Sequence, residues 1–261
     1  MRRPKQASKL RVGTKSKAPI PPYKPTDADR AAMDAALIHE DRAVLAFDKP
    51  SGLPCQTRNP DDRTLDKVLA VYAKSNGKQP RLVHRLDAQT SGVIVTARTK
   101  PAAAFLSEAF AERWTQKTYL ALVSGKAFDT AAGVIDAPLE RYQEKPNLAL
   151  MRATALDAPG AQAARTRYEL VSSNGRHHAL RLFPETGRMH QIRAHLSHIG
   201  RPILGDPYYG GAGVAAGEAV DRLMLHAARL IIPHPDGGEL DLSAEPPADM
   251  ARLAAALELS F

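Results

Sequence analysis

Short apolar runs, broken by clusters of turn-forming residues, alternate along most of the chain. Residues 43–47 are a compact β-type run that ends in Asp48-Lys49-Pro50-Ser51-Gly52, a stretch rich in turn formers. Residues 93–96 are short and β-branched and read as a strand, as do residues 118–123, which stop at Ser124-Gly125-Lys126. Residues 166–171 and 179–183 pair around the turn Ser173-Asn174-Gly175. Residues 223–232 form a further strand region. Helical spacing recurs over residues 31–39, 65–73, 101–113 (with Pro101 at its start), 190–199 and 247–259. In the last of these, Met250, Leu253 and Leu257 share one side. Residues 138–164 carry prolines at 138, 146 and 159 and read as an irregular surface excursion. Strands and helices mix without strict alternation, which predicts an α+β fold rather than a doubly wound one.

Charge changes the picture mainly at the N-terminus. The 261 residues carry a net charge of +8. Eight of the 36 basic residues lie in the first 24 positions, and all 28 acidic residues lie beyond them, so residues 25–261 hold 28 of each sign. A leader rich in Lys, Arg and Pro cannot bury a core, so residues 1–27 are expected to be a disordered tail ahead of one catalytic domain over 28–261. The tail suits either a polyanion-binding arm or a solubilising leader. It has no apolar core of a secretory signal, and no apolar run reaches the 18 residues of a membrane span. The single cysteine, Cys55, precludes an internal disulfide and fits a reducing, cytoplasmic setting. No histidine lies near it in sequence to activate it as a nucleophile.

Three constellations could carry chemistry. His190, His195 and His198 lack the i, i+4 pair with an intervening Glu of the common zinc helix, and no Cys, Asp or Glu lies between Arg188 and Gly205. Gly205, Gly210, Gly211 and Gly213 fit neither a dinucleotide nor a P-loop pattern. Neither cofactor nor metal is therefore expected. The third set is Asp87, in His84-Arg85-Leu86-Asp87-Ala88-Gln89-Thr90-Ser91-Gly92, with Tyr119 and the donors of residues 187–195. A carboxylate beside an arginine stays ionised and can act as a nucleophile. The donors Arg188, His190, Gln191, Arg193 and His195 suit an anionic backbone or a base edge. A structural salt bridge for Arg193 and a core position for Tyr119 are the plainer alternatives.

These blocks resemble the RluA-type pseudouridine synthases. His84-Arg85-Leu86-Asp87 followed by Thr90-Ser91-Gly92 resembles the catalytic motif of that family, and Asp48-Lys49-Pro50-Ser51-Gly52-Leu53-Pro54 its first block. Lys117-Thr118-Tyr119-Leu120-Ala121-Leu122-Val123 is similar to the strand carrying its active-site tyrosine. Residues 186–195 resemble its basic helix motif, and Gly205-Asp206-Pro207-Tyr208-Tyr209-Gly210 with Leu225-His226-Ala227 completes an ordered set across roughly residues 40–235. Ala88-Gln89 and Cys55-Gln56 depart from the pattern, away from the positions that carry the chemistry. No S4-like RNA-binding segment precedes the catalytic block, where many relatives have one.

The resemblance implies a mixed, largely antiparallel sheet flanked by helices and loops. It implies isomerisation of uridine to pseudouridine in ribosomal or transfer RNA, by a cytoplasmic monomer without cofactor. Asp87 would be the nucleophile, Tyr119 would pack on the target base and assist proton removal through a local base or indirectly, and Arg193 would pair with Asp87, with Arg188 as the fallback. Arg85 would fill the space left by a flipped uridine. His84, Thr90, His190, Gln191, Ile192 and Leu225 would line the RNA site, the last two as apolar walls.

Overall fold

The computed structural model describes residues 23–146, 148–211, 213–215 and 217–261; the expected tail lies outside them up to residue 22. Residues 23–27 are not free of the body. The Tyr23 hydroxyl bonds to Asp29, its N–H donates to Pro60 O (3.1 Å), and Thr26 caps the first helix, α1 (Asp27–Ala35), in a capping box with Asp29. This cap draws the helix forward of the predicted 31–39. Its last residues instead form β1 (Leu37–Glu40), which pairs with β2 (Val44–Lys49).

A short helix α2 (Leu65–Val68) runs into a 3-10 turn (Leu69–Tyr72), and β3 (Arg81–Leu82) precedes the Asp87 loop. Then follow β4 (Ser91–Ala97), α3 (Lys100–Ala111) and β5 (Gln116–Ser124). After β6 (Ala132–Asp136), β7 (Leu139–Lys145) and β8 (Leu148–Ala153) form a hairpin where an irregular excursion was expected. Pro138 and Pro146 flank its strands and do not interrupt them, while Leu139, Leu150 and Met151 pack with Ala194 and Tyr209. The chain closes with β9 (Arg165–Ser173), β10 (His177–Pro184), α4 (Gln191–His198), the small pair β11 (Val214–Ala215) and β12 (Glu218–Ala219), β13 (Leu225–Pro233), β14 (Glu239–Ser243) and α5 (Ala248–Ala256).

Among the described residues, ten strands form one sheet in the order β1-β2-β4-β13-β5-β10-β9-β6, with β14 on β13 and β3 on β4. Every pairing in it is antiparallel except β4–β13. The architecture is thus α+β with a largely antiparallel sheet, as expected. Both faces of β2 and β4 are covered, which explains their unbroken apolar runs. Leu45, Phe47 and Ile94 face α2, whereas Val44, Ala46, Val93 and Val95 face α3.

The parallel junction is where the candidate site lies. His226 sits opposite Ser91 and Ala227 opposite Gly92, bringing the start of β13 against the end of the Asp87 loop. Gly92 has φ +110°, and a Cβ there would lie 2.2 Å from Ala227 O. Glycine is required at this point both for its conformation and for the close approach.

Candidate active site

The Asp87 loop is held through its backbone. Cys55 Sγ donates to Leu86 O (3.3 Å) and accepts from Leu86 N–H (3.4 Å). Buried Lys49 directs its Nζ at three carbonyls, Pro50 O (2.9 Å), Leu53 O (2.9 Å) and Ala88 O (3.2 Å). Ala88 O also accepts from Gly52 N–H (2.8 Å), and Ser51 Oγ donates to Gln89 O (2.7 Å). The turn is closed by Thr90 N–H donating to Asp87 O at 3.1 Å. The Asp48–Pro54 block and Cys55 therefore act as a clamp on the loop. Burial pulls the Lys49 ammonium down to about 8 and pushes the Cys55 thiol up, so Cys55 is a packed thiol in keeping with the absence of an activating histidine.

Two histidines fix the ends of the same loop. His84 Nε2 accepts the Val95 N–H (2.9 Å), and its ring stacks on Phe110 with centroids 4.2 Å apart. An accepting nitrogen needs its lone pair, so His84 is neutral; burial, with Lys117 nearby, pulls its pKa down to about 3. His226 Nε2 donates to Ala244 O (3.0 Å), leaving Nδ1 to accept from Ser91 Oγ (3.0 Å).

The opposite wall is the start of α4. Arg193 forks onto Asp206, with Nε to Oδ2 at 2.8 Å and Nη2 to Oδ1 at 2.9 Å, and extends Nη1 to Asp87 Oδ2 at 3.3 Å. Its guanidinium lies 4.9 Å from the Tyr209 ring centre and 5.7 Å from that of Tyr208. Burial works against the charge on Arg193, but the bonds to Asp206 and the two carboxylates raise its pKa on balance. Asp206 was not singled out from the sequence, yet it is the principal partner of Arg193. It lies one residue beyond the acid-free stretch 188–205 and inside the Gly205–Gly210 block.

His190 lies beside Asp87. It adopts φ +50° and ψ +21°, a left-handed conformation uncommon outside glycine and enriched at functional sites. Tyr209 Oη accepts the Met151 N–H (2.9 Å) and lies 3.0 Å from His190 Nδ1. The phenol proton is then best placed on Nδ1, which puts the His190 proton on Nε2, 3.9 Å from Asp87 Oδ2. Burial lowers the His190 pKa although Asp87 opposes it.

The eleven residues that the resemblance assigns to the site line one cleft of about 830 Å³: Asp87, Tyr119, Arg193, Arg85, His84, Thr90, Arg188, His190, Gln191, Ile192 and Leu225. Arg85 is exposed, while Thr90, Ile192 and Leu225 are buried. Gln191 departs from its expected role as an RNA contact. Its Nε2 donates to Arg165 O and Thr166 Oγ1 (3.0 Å each), and its Oε1 accepts from Thr186 Oγ1 (2.6 Å) and Arg188 N–H (3.0 Å). Both amide protons are committed inside the protein, so Gln191 fastens the 186–188 turn to β9. His195 likewise faces away, donating to Ala137 O and accepting from Thr166 Oγ1, both at 2.9 Å.

Among the described residues, Asp87 is the one acidic residue lining the cleft, against Arg85, Arg113, Lys117, Arg188 and Arg193. With no second carboxylate on the lining, the site lacks the acid and base pair of a glycoside hydrolase. Burial first, then the charge of Asp87, pushes the Tyr119 phenol above its usual range, so it is a neutral donor near pH 7. Among the described residues, no three His, Cys, Asp or Glu side chains are grouped to hold a metal ion, and no helix is long and apolar enough to cross a membrane.

Residues 43–198 match the family of RNA pseudouridylate synthases, and the chain belongs to it. It is an isomerase that converts uridine in RNA to pseudouridine, as the resemblance in the sequence implied. The ribosomal large subunit pseudouridine synthase D of Xanthomonas campestris pv. campestris is 36% identical over 249 residues, covering 89% of this chain and 72% of that one. The RNA pseudouridine synthase YhcT of Bacillus subtilis is 33% identical over 83% of this chain and 70% of its own. Among solved structures, human RNA pseudouridylate synthase domain containing 4 superposes with a TM-score of 0.73 at 28% identity, covering 88% of this chain and 96% of that one.

Proposed function

We propose that this protein isomerises uridine in large-subunit ribosomal RNA, with Asp87 as its nucleophilic carboxylate. The observation that carries the Asp87 assignment is the single acidic group on a cation-lined cleft, gripped by Arg193 through one oxygen only. The ribosomal target is supported by relatives named for the large ribosomal subunit. The N1–C1′ bond breaks, the uracil turns, C5 bonds to C1′, and the C5 proton is replaced by one on N1. Nothing is oxidised or reduced, and no cofactor enters the balance. The free carboxylate oxygen can serve three routes to this outcome: addition to C1′, addition to the base, or removal of the 2′ proton.

Arg193, anchored by Asp206, aims Asp87. Tyr119, held as a neutral phenol, packs under the base and donates a hydrogen bond. Ile192 and Leu225 are the apolar walls. Extruding a uridine from its stack costs a few kcal/mol, and Arg85, exposed at the cleft mouth, offsets part of this by occupying the vacated place. Arg188 flanks the entering strand, with His84 and Thr90 holding the loop behind Asp87. That one chain supplies every one of these groups supports a monomeric enzyme, and the reading places it in the cytoplasm.

Incubating the purified protein with unmodified large-subunit ribosomal RNA and with transfer RNA, then mapping pseudouridines, tests the assignment. New pseudouridines are expected at discrete positions of the ribosomal RNA. Pseudouridines in transfer RNA alone would move the substrate to that class, and none in either would overturn the reading.

A further inference from the structure

A second concavity adjoins the catalytic cleft and is larger, about 1180 Å³. It is bordered by the 74–82 segment and by the first half of α3, and Leu82 lines both spaces. Lys74, Lys78, Arg81 and Lys100 stand on its rim, all exposed, and none makes an ion pair among the described residues. Arg98 lines it as well but is bonded to Glu40 and Asp41 O, and among the described residues Asp66 is the one acidic residue on its lining.

This concentration is not a by-product of overall charge, because residues 25–261 carry equal numbers of each sign. The cations are exposed, on long stems, and spread along a groove. That arrangement suits successive phosphates of an extended polyanion and not a single enclosed anion. The direction is set by α3. Its N-terminal half borders the groove, and Phe110 and Ala111 at its far end border the catalytic cleft beside Asp87. Twelve helical residues span about 18 Å at about 1.5 Å each, or about five stacked nucleotides at about 3.4 Å.

We propose that this groove is a docking track for the RNA strand that flanks the target uridine, with Lys74, Lys78, Arg81 and Lys100 taking successive phosphates that lie within about five nucleotides of the catalytic cleft. The proposal rests on RNA as the substrate. It gives the enzyme a grip on its substrate outside the catalytic cleft and independent of the N-terminal basic stretch.

The test uses the full chain carrying Asp87→Asn, so that binding is read without turnover. Binding of a 20-nucleotide oligouridine is measured from 50 to 300 mM salt, with and without Lys74→Ala, Lys78→Ala, Arg81→Ala and Lys100→Ala together. The slope of log affinity against log salt should flatten by about three, at roughly 0.7 to 0.9 per phosphate contact. Replacing the lysines by arginine and Arg81 by lysine should restore it, which separates lost charge from lost fold. Lys126→Ala with Arg176→Ala, on another surface, should leave the slope unchanged. An unchanged slope in the fourfold variant, or an equal loss in the control pair, would overturn the track. The enzyme's own activity is a separate matter: wild-type protein that forms no pseudouridine would sink the functional reading whatever the slopes show.

Discussion

Arg193 touches two carboxylates, and their surroundings differ in every respect. The Asp206 side chain has no exposed surface, receives two nitrogens of the guanidinium, and accepts the Tyr208 and Tyr209 N–H groups at 3.0 and 3.2 Å. The Asp87 side chain is 24% exposed and receives one nitrogen at 3.3 Å. A bidentate bond fixes both the place and the plane of an arginine. Asp206 thus makes Arg193 part of the wall, and the wall presents one donor to Asp87 without saturating it. One carboxylate is structural because it is closed on all sides; the other is left able to react.

The largest effect should come from breaking the closed side. Asp206→Ala leaves a buried guanidinium with only its single bond to Asp87, and removing one partner of a buried pair typically costs about 3 to 5 kcal/mol. Denaturant unfolding should show that loss, whereas Asp87→Ala should change stability by less than about 1 kcal/mol. Equal destabilisation by the two substitutions would break the comparison. A smaller effect should appear in acid. Burial lowers the pKa of His195 and His226, as it does for His84 and His190 beside Asp87. The unfolded chain binds these protons below about pH 6.5 and the folded one resists them, so stability is complete above that value and lost as pH falls. Each fully withheld proton gives a slope of about 1.4 kcal/mol per pH unit. Unfolding midpoints at pH 7, 6 and 5 should decline in order, and a flat profile would contradict the neutral, packed state of these rings.

The same contrast explains what could be read in the chain. The runs at 43–47 and 93–96 were legible because both faces of those strands are buried, and the Asp87 loop because its chemistry lies within nine consecutive residues. The helix at 190–199 and the hairpin around Asn174-Gly175 were legible for similarly local reasons. The Asp206 fork was not, since it depends on the 199–206 turn bringing a carboxylate back under α4. Nor was the role of Gln191, whose partners lie 25 residues away on β9. The β7–β8 hairpin was hidden because its prolines suggest breaks, and only packing against Ala194 and Tyr209 shows that they bracket strands. The forward shift of α1 follows from one capping box. Lys49 and Cys55 sit in a recognisable block, but their function as a clamp arises from contacts with residues 31 to 39 positions away.

The central claim, that the open carboxylate is the reacting one, is tested most directly by Asp87→Asn. The variant should fold with wild-type stability and bind ribosomal RNA with nearly unchanged affinity, while the rate of pseudouridine formation falls by at least about a thousandfold, on the scale of losing a catalytic nucleophile. Turnover by Asp87→Asn at the wild-type rate would contradict the account.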